Sequence, residues 1–182
     1  MAKILFISDN LLNEGLGIMY LSSYVKSKGH EVDLTLLQDF KRVDDLVEYI
    51  NKTDYDLVAF SVMTPQVVQF KPISRIIKER TGKTIIWGGP HCMFMQEDVM
   101  KYGFVDIICV GDGEEALLDL MNHIDEGKDY SKILSLYVKT KDGWNKNRIG
   151  MLENNLDKYL INIYQNISIP KRNFLSPVFN TR

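Results

Sequence analysis

The sequence predicts a doubly wound α/β fold on a parallel sheet of five strands, and three observations carry that reading. Short, nearly continuous apolar runs recur at Lys3 to Ser8, Glu31 to Leu37, Leu57 to Val62, Thr84 to Trp87 and Val105 to Val110, as strands buried on both faces do. Amphipathic helical patterns fall between and after them, with Val43, Leu46, Val47 and Ile50, and again Leu117, Leu120, Met121 and Ile124, at i, i+3, i+4, i+7. Helix stop signals, Gly29 and Thr81-Gly82, close the other two helical segments. Such alternation gives right-handed crossovers with helices on both faces. Five strands suit the flavodoxin-like (Rossmann-like) order 2-1-3-4-5.

Along the chain, the first run leads into a helix over Leu16 to Lys28, and the second into the Val43 to Ile50 stripe. The third leads into a helix over Pro72 to Arg80 carrying Ile73, Ile76 and Ile77, with Pro72 expected in its first turn. The Leu117 to Ile124 helix follows the fifth. After residue 126 the alternation stops. Ile133 to Thr140 and Trp144 to Ile149 read as a β-hairpin about Lys141-Asp142-Gly143, with positive φ expected at Asp142 and Gly143. Residues 1–150 make the domain. Residues 151–182, with a short helix near Leu156 to Ile161 and then Pro170, Lys171, Arg172 and Pro177, read as a linker.

Composition narrows the function. A chain of 182 residues with 45% apolar and 25% charged residues is an ordinary globular domain, which buries about 70% of its unfolded surface. Lys plus Arg (22) nearly balance Asp plus Glu (24), so no footprint for a nucleic-acid backbone is present. Cys92 and Cys109 form neither a disulfide framework nor a metal-binding spacing. The amino terminus lacks a secretory apolar run, and no stretch approaches the roughly 20 apolar residues that span a bilayer. These features predict a cytoplasmic protein without membrane contact or a side-chain metal site.

In a sheet of this order ligands bind beyond the carboxyl ends of the strands, at the switch between the first and third. The first loop there supplies Asn13, Gly15, Leu16 and Gly17. Its glycines allow close backbone approach, and the helix N-terminus favours an anionic or amide-rich group. The spacing is not GxGxxG. A phospho-acceptor reading fails because Asp9 has only Asn10 beside it and position 61 is Ser. The second loop, Ser61, Val62, Met63 and Thr64, offers two hydroxyls to a heterocycle lying across the sheet edge, or simply forms a turn. The third, Gly88, Gly89, Pro90 and His91, makes room for a bulky ligand, with His91 either touching it or capping a helix. His30 and His123 read as surface residues. The fourth, Gly111, Asp112, Gly113 and Glu114, is a tight turn opening a helix whose dipole its acidic residues stabilise.

Together these loops resemble the amino-terminal cobalamin-binding domain of cobalamin-dependent radical S-adenosylmethionine enzymes. The resemblance rests on Leu16-Gly17-Ile18-Met19-Tyr20-Leu21, Gly29-His30-Glu31-Val32, Asp56 to Thr64, Gly88-Gly89-Pro90-His91 and Val105 to Glu114, in that order, and covers about residues 3 to 165. Where those proteins commonly carry Gly-Glu-Gly-Glu, this chain has Gly111-Asp112-Gly113-Glu114. Ser61-Val62-Met63 and Gly88-Gly89 also resemble the second and third elements of the mutase-type cobalamin modules. The Asp-x-His-x-x-Gly element is missing at Asp9-Asn10-Leu11.

The resemblance implies a corrin ring over the strand ends, a nucleotide tail between the Ser61 and Gly88 loops, and no protein imidazole on cobalt. It further implies a longer parent with a barrel domain, a [4Fe-4S] cluster and S-adenosylmethionine, serving methyl transfer. This segment would bind cobalamin and not itself be catalytic. The alternatives are a regulatory or interaction module without ligand, and a flavin or nucleotide binder of the same fold.

Overall fold

A computed structural model describes residues 1–9 and 15–151. The elements run β1 (Lys3–Ser8), α1 (Gly15–Ser27), β2 (Glu31–Leu36), α2 (Val43–Lys52), β3 (Leu57–Ser61), α3 (Val67–Thr81), β4 (Thr84–Gly88), α4 (Pro90–Phe94), α5 (Gln96–Val99), β5 (Ile107–Cys109), α6 (Glu114–Asp125), β6 (Leu136–Thr140) and β7 (Gly143–Lys146), with single 3₁₀ turns at Leu37–Asp39 and Thr64–Gln66. One sheet of order β2-β1-β3-β4-β5-β6-β7 holds all seven strands. The first five are parallel in the expected order. The hairpin extends the same sheet, β6 pairing antiparallel to β5 through Cys109 and Leu136.

Strand alternation divides the core in two. Ile4, Phe6, Leu57, Ala59 and Ile86 face Ile18 and Val25 of α1 and Leu117, Leu120 and Met121 of α6. Leu5, Ile7, Val58, Phe60, Ile85 and Trp87 face Leu46 and Ile50 of α2 and Phe70 and Ile77 of α3. Trp87 is fully buried there, and its indole N–H donates to the Ser74 hydroxyl at 3.0 Å.

Three expectations are corrected. Pro72 is the sixth residue of α3, not part of its first turn. The chain enters that helix earlier, through the 3₁₀ turn in which Pro65 takes the position that needs no N–H. In the hairpin only Gly143 has positive φ (123°), while Asp142 does not. A turn on Lys141-Asp142 followed by a left-handed glycine satisfies the strand twist with one such residue. His30 is buried, 7% exposed, and bonds Asn122 Oδ1 through Nε2 at 2.9 Å, joining α1's exit to α6. The helix expected near Leu156 to Ile161 and most of the linker lie outside the described residues.

Candidate functional site

Beyond the carboxyl ends of the parallel strands, between α1, α6 and the sheet, lies a cavity of about 260 Å³. It follows from residue size at alternate strand positions. Phe6, Ala59 and Ile86 are Cα partners across β1, β3 and β4 and share the face toward α1 and α6. Ala59 is the small member, so the row dips between Phe6 and Ile86. One step nearer the strand ends, Ser61 pairs with Gly88, and Cys109 of β5 completes a rim of small side chains. Leu21 of α1 and Leu117 of α6 form the opposite wall.

The lip is polar and acidic. Gly111, Asp112, Gly113 and Glu114 border the cavity, as do Gly17 and Pro90. Burial lifts the Glu114 carboxyl above the ordinary glutamate range, opposed by its own and Gly113's backbone N–H groups and reinforced by the charge of Asp112. Burial, together with Glu114 and Asp112, pushes the Cys109 thiol up to about 12. Cys109 is therefore a neutral wall group at pH 7 and not a thiolate nucleophile. No lysine, arginine or histidine lines this cavity among the described residues.

The predicted residues separate into three sets. Gly17, Ser61, Gly88, Gly89, Pro90, Gly111, Asp112, Gly113 and Glu114 line the cavity. Leu16, Val62, Met63, Thr64 and His91 do not. Gly15 begins α1, and Asn13 lies outside the described residues.

The Ser61 and Gly88 loops are stitched directly together. Val62 N–H donates to Gly88 O at 2.8 Å and His91 N–H to Val62 O at 2.9 Å. A Cβ on Gly89, whose φ is +87°, would stand 2.8 Å from Val62 N and 2.9 Å from Ser61 Oγ. The open space lies beside these loops, on the α1 and α6 side, rather than between them.

His91 is 5% exposed. Its Nδ1 lies 3.2 Å from Thr64 Oγ1, its Nε2 has no partner among the described residues, and burial holds its pKa below the ordinary histidine value. Asp9, just after β1, is held by Gln66 of the 3₁₀ turn after β3, whose Nε2 donates to Asp9 Oδ1 at 2.9 Å while its Oε1 accepts from Met63 N–H at 2.8 Å. Outside the cavity, Leu16, Val68 and Phe94 stand 66%, 84% and 80% exposed at the starts of α1 and α3 and the end of α4.

Sequence reasoning missed the walls, namely Phe6, Leu21, Ala59, Ile86, Cys109, Leu117 and Leu136. A signal was present in the run of small residues at alternate strand positions, Ala59, Ser61, Gly88 and Cys109, which leaves one sheet face unfilled near the strand ends.

Several known proteins are similar to this chain in sequence or in fold. The chain is 27% identical over 164 residues to "Uncharacterized methyltransferase PH0819" of Pyrococcus horikoshii, covering 88% of this chain and 34% of that one. It is 27% identical over 139 residues to "Anaerobic magnesium-protoporphyrin IX monomethyl ester cyclase" of Rubrivivax gelatinosus, covering 69% and 25%. The chain thus spans about a third or less of these curated relatives. In fold it matches the radical S-adenosylmethionine methyltransferase TsrM of Kitasatospora setae, solved with cobalamin and a [4Fe-4S] cluster, at TM-score 0.72 and 22% identity over 84% of this chain and 30% of that one. The cobalamin-dependent S-adenosylmethionine radical enzyme OxsB, solved with aqua-cobalamin and S-adenosylmethionine, matches at TM-score 0.72 and 18% identity over 87% and 23%. Residues 3–121, from β1 into α6, match the B12 binding domain family, and it is to this family that the chain belongs.

Proposed function

We propose that the chain holds cobalamin with its nucleotide tail in the cavity between α1, α6 and the sheet, and its corrin ring over the carboxyl ends of β1, β3 and β4. The observation that carries the reading is the dip at Ala59 and Gly88, where larger side chains would fill the space. A flat heteroaromatic base finds apolar walls there. The Ser61 hydroxyl, which makes no hydrogen bond to protein among the described residues, can serve a ring nitrogen at the rim. Asp112 and Glu114 can accept hydrogen bonds from ligand hydroxyls or amides. Gly17, Gly89, Pro90, Gly111 and Gly113 shape the mouth. Gly15 and Leu16, at the start of α1, and Met63, after β3, would face the ring, and Val62, Thr64 and His91 hold the second and third loops in register.

When bound, the cofactor supplies a cobalt centre able to carry a methyl group, and the chain's own residues bind it, orient it and keep water from its tail. In a longer parent this domain would serve a radical S-adenosylmethionine domain with a [4Fe-4S] cluster, and methyl transfer is the activity the relatives' names favour. Two free cysteines, Cys92 and Cys109, fit a reducing, cytoplasmic setting.

The test is retention of colour. The full chain mixed with hydroxocobalamin and desalted is expected to keep one equivalent of corrinoid by its visible spectrum. Ala59→Phe is expected to lose it with the circular dichroism unchanged. A colourless wild-type protein would leave the ligand-free module, or a flavin or nucleotide binder of the same fold, as the reading.

A further inference from the structure

Among the described residues, the deep end of the cavity has no polar side chain to offer, and this bears on which corrinoid enters. The floor is the paired row Phe6, Ala59 and Ile86, closed by Leu21 and Leu117. Phe6, Ala59, Ile86 and Leu117 are 4%, 3%, 5% and 4% exposed. The polar side chains that border the space, Ser61, Asp112 and Glu114, stand at the strand ends and at the start of α6, one residue pair or one helical turn above that floor.

Corrinoids differ in the base at the end of their nucleotide tail. That base hangs from its ribose by the five-membered ring, so its six-membered ring goes in first. In a dimethylbenzimidazole that leading edge is all carbon. In a purine it carries two ring nitrogens, each of which gives up a water hydrogen bond on entry and finds only aliphatic and aromatic carbon.

We infer that this domain discriminates among corrinoids by the lower base, accepting a benzimidazole and rejecting a purine, with the row Phe6, Ala59 and Ile86 and the facing Leu117 as the residues that set the preference. The inference rests on the placement of the tail proposed above. A site that recognises a base by burying it pays heavily for an unpaired nitrogen, whereas one with a polar floor would not. Ser61 contributes to both classes alike, since each presents a five-membered-ring nitrogen at the rim once its base is off the metal.

The experiment measures dissociation constants of the full chain for three probes by difference spectroscopy. These are cobalamin, the adenine-containing cobamide, and cobinamide, which has no nucleotide tail. Cobalamin is expected to bind at least about tenfold more tightly than the adenine form, the effect of a single unpaired buried group, and more tightly than cobinamide. Leu117→Gln, which brings an amide to the floor, is expected to narrow the gap between cobalamin and the adenine form.

Equal affinity for the two complete cobamides, both tighter than cobinamide, would overturn the discrimination and leave the tail in the cavity. Cobinamide binding as tightly as cobalamin would overturn it by putting the tail elsewhere. Failure of all three probes to bind would overturn the cobalamin reading itself.

Discussion

His91 and Thr64 are joined across two loops, Nδ1 to Oγ1 at 3.2 Å, and the pairing keeps both out of the cavity that their neighbours Ser61, Gly88 and Gly89 border. The ring that meets the Thr64 hydroxyl has its other nitrogen buried without a partner among the described residues. A neutral imidazole tolerates that position far better than a cation does.

Acid should therefore weaken the fold through His91. Its folded pKa lies below the ordinary value of about 6.5 because of burial, only partly opposed by Asp98. Between those two values the unfolded chain binds more protons than the folded one, so stability rises with pH across the window and is lost as pH falls from 6.5 toward the depressed value. Urea midpoints taken from pH 7.5 to 5.5 are expected to drop. In His91→Gln the drop is expected to shrink, and an equal drop in that variant would assign the acid sensitivity to other groups.

The two adjacent glycines should behave differently. At Gly89 an added Cβ meets Val62 backbone at 2.8 Å under a φ of +87°, a strained conformation that costs on the order of 1–3 kcal/mol before the clash is counted. At Gly88 the nearest atom is Cys109 Cβ at 3.4 Å, and the new methyl enters the cavity. Denaturant titration is expected to show Gly89→Ala strongly destabilised and Gly88→Ala within about 0.5 kcal/mol of wild type, while cobalamin retention is reduced in Gly88→Ala. Comparable stability losses in the two variants would show that the loop contacts do not set the difference.

The parallel sheet was legible because continuous apolar runs and 3.6-residue periodicity report burial directly, and the loops at its ends follow from strand order. The cavity floor was not. Phe6 and Ile86 read as core residues, which they are, and only the pairing register shows that Ala59 lies between them. His30 was misread for a related reason. A lone histidine at a helix exit looks like surface until α6 brings Asn122 to it from 92 residues away. Likewise Ser61 and Thr64 look like an equivalent pair of hydroxyls in the sequence, and the fold separates them, setting Ser61 on the cavity and Thr64 on His91.

That separation is measurable. Ser61→Ala removes a hydroxyl that lines the cavity, so calorimetric titration is expected to show cobalamin affinity several-fold weaker, a lost hydrogen bond being worth about 0.5–1.5 kcal/mol, with the thermal midpoint unchanged. Thr64→Ala removes the partner of His91, so the midpoint is expected to fall by the equivalent of about 1 kcal/mol with affinity nearly unchanged. The reverse assignment of the two effects would mean that Thr64, not Ser61, faces the ligand.

The last prediction concerns the metal's lower face. The sequence contains three histidines, and the fold accounts for each. His30 sits at the start of β2, at the opposite end of the parallel strands from the cavity, and bonds Asn122. His123 lies in the last turn of α6, also toward that opposite end, with Nδ1 on Asp119 O at 2.7 Å. His91 alone is near the strand ends, and its ring is buried on Thr64, outside the cavity lining. None can reach a corrin over the strand ends without breaking a contact, so the cob(II)alamin complex is expected to show high-field cobalt lines in its electron paramagnetic resonance spectrum without splitting by an axial nitrogen. Triplets that vanish in His91→Ala would mean that the loop rearranges on binding and His91 ligates cobalt. Triplets that survive it would assign the nitrogen to the cofactor's own base, and would remove that base from the cavity.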